Sequence, residues 1–68
     1  MRCPIALHKR IDRARRAAYN LTRYDDRTAG RAAAHLARTA DRAASYGACA
    51  QARTALRSSL KLLRRALG

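Results

Sequence analysis

Apolar residues recur along this chain with the spacing of a helix face. Leu7, Ile11, Ala14, Ala18 and Leu21 follow a 4-3-4-3 pattern, with Lys9, Arg13, Arg16, Asn20 and Arg23 on the opposite side. Proline occurs only at position 4, a favoured first-turn site, so a first helix is predicted to start beside it. Asp25 and Asp26 then supply N-cap candidates for a second helix. Their carboxylates would satisfy orphan N–H groups and suit the positive end of the helix dipole.

The second helix is predicted over residues 28–45, with an inner face of Ala29, Ala33, Leu36, Ala40, Ala43 and Ala44. Small side chains let helix axes approach closely but bury little area each. Gly30 falls near the start of this helix, where an interior glycine costs about 1 kcal/mol relative to alanine. Gly47 is a stop signal, placed where a glycine with positive φ ends a helix. A third helix follows over residues 48–66. Ala52, Leu56, Ser59, Leu60, Leu63 and Leu67 form its inner face, and Arg53, Arg57, Lys61, Arg64 and Arg65 lie outside.

Nothing reads as a strand, so the expected class is all-α. Residues 1–68 form one small domain, an antiparallel three-helix bundle. The weakest boundary lies between the first two helices, where no Gly or Pro separates Tyr24 from Thr28. The alternative is one long helix over residues 4–46, roughly 64 Å in length, folded against the third. Such a hairpin would have to dimerise to cover its apolar face.

Composition makes the core thin. The hydrophobic fraction is 49%, but 17 of those residues are alanine, leaving eight Leu, two Ile and Met1 as the large aliphatic side chains. A core of this size is marginal in so short a chain. Help is therefore expected from a disulfide, an oligomer or a bound partner.

Cys3 and Cys49 are the two cysteines. An up-down-up bundle puts the starts of helices one and three at the same end, bringing these residues near each other. A bridge would constrain the unfolded chain strongly, whereas a reducing compartment would leave two packed thiols; both remain open at this stage. A metal site from both cysteines, His8 and His35 is disfavoured, because His35 falls mid-helix and the spacings lack paired ligands. Neither histidine has a nucleophile and acid at helix spacing, so no catalysis and no cofactor are expected. Asp41, three residues after Arg38, and Asp12, three before Arg15, read as local helical ion pairs.

Charge supplies the functional expectation. The chain has 16 Lys+Arg against 4 acidic residues, a net charge of +12, and 14 of the basic residues are arginine. Arg27, Arg31, Arg38 and Arg42 fall at roughly 0°, 40°, 20° and 60° around one helix axis. Four cations in one sector weaken an isolated helix, and a polyanion along that surface would reverse the cost. Arg53, Arg57, Lys61 and Arg64 make a second stripe. The recurrence of Arg-Thr-Ala at 27–29, 38–40 and 53–55 helps build the first stripe without making a repeat protein.

These stripes point to DNA or RNA, bound through its phosphates with little base specificity. Tyr19, Tyr24 and Tyr46 have the chemistry to stack on unpaired bases, but their scatter among helix ends reads as packing. Residues 33–43 resemble part of a helix-turn-helix, with Ala33, Leu36 and Tyr46 at fitting positions. Ala37 and Arg38 depart from that pattern, replacing the turn glycine and an apolar position, and nothing there breaks the helix. That resemblance is not adopted.

A second reading is docking on an acidic protein surface, or in the nucleic-acid channel of a larger assembly, as an inhibitor or subunit. A third is an anionic membrane surface, using the leucines of helix three; missing Trp and Phe count against it. No apolar run reaches the length of a membrane span or secretory signal. The expected location is cytoplasmic or within a nucleoprotein, and oligomeric state is left open.

Overall fold

The computed structural model describes residues 2–68, which form three helices packed against one another: α1 (Ile5–Tyr24), α2 (Arg27–Ser45) and α3 (Cys49–Leu67). Met1, counted above among the aliphatic side chains, lies outside the described residues. The body is elongated, 37 × 16 × 15 Å. α2 is the central partner, because α1 and α3 each pack on it far more extensively than on each other.

Local chemistry explains each boundary. Pro4 precedes α1, and its carbonyl accepts from the Leu7 N–H at 3.0 Å. Asp26 caps α2: its Oδ1 accepts from the Ala29 N–H at 3.1 Å. The α1–α2 link is therefore only Asp25 and Asp26, which excludes one continuous helix and with it the dimerising hairpin. At the far end of α2, Gly47 adopts φ 79°. The Ala48 N–H donates to the Ala43 carbonyl at 2.9 Å and Gly47 to Ala44 at 3.0 Å, closing a Schellman turn.

The core follows the apolar arcs with two adjustments. On α1, Leu7, Ile11, Ala14, Ala18 and Leu21 are all buried. On α2 the buried line is Gly30, Ala33, Ala37, Ala40 and Ala44. Ala37 thus replaces Leu36, which is half-buried, and Ala29 and Ala43 are half-buried as well. The cause is that α2 faces two neighbours at once. Its contact face is centred on the small residues that both neighbours approach, and Leu36 lies roughly 80° around from that centre. On α3, Ala52, Leu56, Ser59 and Leu63 are buried, Leu60 is half-buried, and Leu67 at the open end of the bundle is exposed.

Two contacts tie the helices together at specific points. The fully buried Ser59 hydroxyl donates to the Ala33 carbonyl at 2.7 Å, joining α3 to α2. At Gly30 the backbone of α1 approaches α2 closely. A Cβ built there would lie 2.5 Å from the Thr22 nitrogen and 2.7 Å from its Cα, and would overlap its Oγ1. The glycine that weakens α2 as a helix is thus the residue that permits the crossing.

Cys3 and Cys49 are joined by a disulfide, with Cα atoms 5.5 Å apart. The bridge locks the start of α1 to the start of α3, the pair of helices with least direct packing. It resolves the alternatives left open above and leaves no free thiolate for a metal. Among the described residues, no three His, Cys, Asp or Glu side chains cluster.

Candidate nucleic-acid interface

All eight stripe residues, Arg27, Arg31, Arg38, Arg42, Arg53, Arg57, Lys61 and Arg64, are exposed. The structure places five of them in two clefts, each completed by cations from α1. Arg31 and Arg38 line an open groove of about 780 Å³ between α1 and α2, facing Arg15, Arg16, Tyr19 and Asn20. Arg27 and Arg42, at the two ends of the α2 stripe, lie outside that lining. On the other flank, Arg53, Arg57 and Arg64 converge with Arg10 of α1 over Leu56 and Leu60. Lys61 sits on the same helix but outside this cleft.

The two clefts differ in charge balance. Asp12 lines the α1–α2 groove and pairs with Arg16, Oδ2 to Nη2, at 3.1 Å. Asp41 reaches across from α2 to Arg15 at 3.8 Å. Neither aspartate pairs as its sequence spacing suggested. Asp12 takes the better-aligned i,i+4 partner instead of Arg15, and Asp41 faces α1 instead of Arg38. In the α1–α3 cleft, no carboxylate is among the lining residues described. The reason is visible in the chain: α3 carries Arg53, Arg57, Lys61, Arg64 and Arg65 and no acidic residue at all. Each like-charged i,i+3 or i,i+4 pair along it costs about 0.2–0.5 kcal/mol in the unbound helix.

Arg10, Arg15 and Arg16 of α1 lie outside both arginine stripes. Arg10 and Arg15 do carry a sequence signal, because they border the buried arc Leu7, Ile11, Ala14 and Ala18. Cations at the edge of an apolar arc project along the seam with the neighbouring helix.

The tyrosines are surface residues, contrary to the packing expectation: Tyr19 is 59%, Tyr24 75% and Tyr46 84% exposed. They lie off the buried arcs, Tyr24 as the last residue of α1 and Tyr46 as the C-cap of α2. Arg23 links the first two. Its Nη1 donates to the Tyr19 hydroxyl at 3.2 Å, and its guanidinium stands 5.7 Å from the Tyr24 ring centroid. α2 is unbroken through residues 37–40, so the segment resembling a helix-turn-helix contains no turn.

The fold and its two arginine-lined clefts define a small, strongly basic, disulfide-bridged three-helix protein. Comparison with protein-family models, curated proteins and solved structures finds no match. Among the described residues, no helix is long and apolar enough to cross a membrane.

Proposed function

We propose that this protein binds the phosphate backbone of nucleic acid through arginines on its helix flanks, without catalysis and with little sequence specificity. The observation that carries the reading is the α1–α3 cleft, where Arg10, Arg53, Arg57 and Arg64 meet without a carboxylate in the lining. Like charges gathered in this way destabilise the free protein, and a polyanion is the ligand that turns the repulsion into attraction. Arginine adds bidentate geometry toward phosphate. Arg27, Arg31, Arg38 and Arg42 extend the positive surface over about 22 Å of α2.

The test is fluorescence-anisotropy binding to labelled duplex DNA, labelled single-stranded RNA and heparin at roughly 50 and 200 mM salt. Nucleic-acid binding that weakens steeply with salt but outcompetes heparin at both concentrations is the expected result. Replacing Arg53, Arg57, Lys61 and Arg64 by alanine should flatten the slope of log affinity against log salt by up to ~3.6 on B-DNA. Equal binding to all three polyanions, abolished at the higher salt, would overturn the reading and favour an acidic protein partner.

A further inference from the structure

We infer that the groove between α1 and α2 takes an unpaired nucleotide of a single-stranded nucleic acid, with Tyr19 stacking on the base and Arg31 and Arg38 holding the flanking phosphates. The inference rests on the phosphate-binding reading above and adds a ligand class and a site to it.

Register places these residues together. Arg15 meets Asp41, and Thr22 meets Gly30, which fixes the antiparallel alignment of α1 on α2. By that alignment Tyr19 stands opposite the stretch of α2 midway between Arg31 and Arg38. Those two arginines are about 10 Å apart along the helix axis, and neither has an ion-pair partner among the described residues. All three line the same groove. Tyr19 is held by its phenolic edge through Arg23 and is more than half exposed. An aromatic ring between two uncompensated guanidinium groups is the arrangement that binds a base and its phosphates together. Asn20, also in the lining, adds an amide with both donors and acceptors.

The same groove discriminates against a duplex. Helices in contact lie about 8–10 Å apart, so the furrow between them is one side chain or one base wide. Its charge is also uneven. Asp12 and Asp41 pair with Arg16 and Arg15 and neutralise part of the charge at that end, whereas no carboxylate lines the groove at the Tyr19 and Arg31 end. Asp25 and Asp26 stand in the α1–α2 link outside the lining. A phosphate row running the whole length would meet Asp12. A single nucleotide seated at the tyrosine end does not.

The experiment compares labelled oligo(dT), oligo(rU) and a duplex of equal length, bound to the oxidised full chain and to four variants. For Tyr19→Leu we expect single-strand affinity to fall about 5- to 100-fold, with duplex affinity changed less than about twofold. Tyr19→Phe keeps the aromatic face and should retain single-strand binding. Tyr46→Leu, at the other end of α2, should behave as the parent. The chain has three tyrosines and no tryptophan, so intrinsic emission reports on tyrosine alone and should be quenched by either oligomer. The fourth variant, Arg31→Ala with Arg38→Ala, alters only exposed positions and should flatten the single-strand salt slope by up to ~1.4.

Tyr19→Leu binding single strands like the parent, an equal loss on duplex and single strand, or an unchanged slope in the double arginine variant each overturns the site. Duplex-only binding by the parent overturns the inference and leaves the phosphate-binding reading standing. Failure to bind any nucleic acid beyond heparin overturns both. The two oligomers separate DNA from RNA as the source of the strand.

Discussion

Replacing Gly30 by alanine sets helix propensity against packing, and the structure decides the sign. On propensity alone the change should stabilise α2 by about 0.8–1 kcal/mol, because glycine is a poor residue inside a helix. The added Cβ, however, would sit 2.5 Å from the Thr22 nitrogen and 2.7 Å from its Cα. Carbon contacts are comfortable at about 3.5–4.0 Å, so α1 and α2 must separate by roughly 1 Å at this point. The Thr22 hydroxyl can rotate aside, giving up its 2.7 Å bond to the Ala18 carbonyl. The Thr22 backbone cannot. Overpacking of this kind costs about 1–3 kcal/mol or more, and the cost here belongs to its upper range because main-chain atoms on both helices are involved. The net expectation is a loss of about 1–2 kcal/mol. In a domain of this size that lowers Tm by roughly 5–15 °C.

Thermal unfolding followed by far-UV circular dichroism, with the disulfide intact, measures the effect directly. Ala32→Gly, at an exposed position of the same helix, calibrates the propensity contribution and should cost about 1 kcal/mol. Thr22→Ala combined with Gly30→Ala should rescue only in part, since it removes Oγ1 and leaves the backbone where it was. A Tm that rises on Gly30→Ala would refute the close crossing of α1 and α2, and with it the register that places Tyr19 between Arg31 and Arg38.

Three other perturbations probe separate parts of the molecule. Breaking the Cys3–Cys49 bridge, whose partners are 46 residues apart, should cost about 4 kcal/mol by the loop-entropy estimate, read as the Tm difference between oxidised and reduced protein; a loss below about 1 kcal/mol would deny the bridge a structural role. Arg57→Glu replaces like-charge neighbours at Arg53 and Lys61 by opposite ones, so it should raise Tm at low salt while weakening nucleic-acid binding. Lower stability together with unchanged affinity would count against the electrostatic account of α3. Ser59→Ala deletes the buried hydrogen bond to the Ala33 carbonyl and should cost about 0.5–1.5 kcal/mol in urea unfolding, because that carbonyl also belongs to a helix; a larger loss would indicate that the contact also sets the α2–α3 spacing.

Much of this architecture was legible in the order of residues. Helix boundaries are local events, governed by Pro4, by the Asp26 side chain and by the positive φ that only Gly47 accommodates readily, and each acts within a few residues of itself. The α1 core was legible for the same reason: one apolar arc against one main partner leaves little freedom in which side turns inward. Exposure of the eight stripe cations also followed, since an isolated charge is expensive to bury and stays in water.

Tertiary structure decided what depends on two segments at once. A helix between two neighbours is buried along the line both approach, so Ala37 rather than Leu36 entered the core of α2. Gly30 looks like a local defect until Thr22 is placed against it. Asp12 and Asp41 chose partners by direction in space, one of them on another helix. The clefts belong to helix pairs, so Arg10, Arg15 and Arg16 joined the candidate interface only when α1 was laid against its neighbours, and Tyr19 was turned outward into one of them. Helical periodicity specifies angles around a single axis. The rotation and separation between axes arise from packing, and at Gly30 a single missing Cβ allows α1 and α2 to meet.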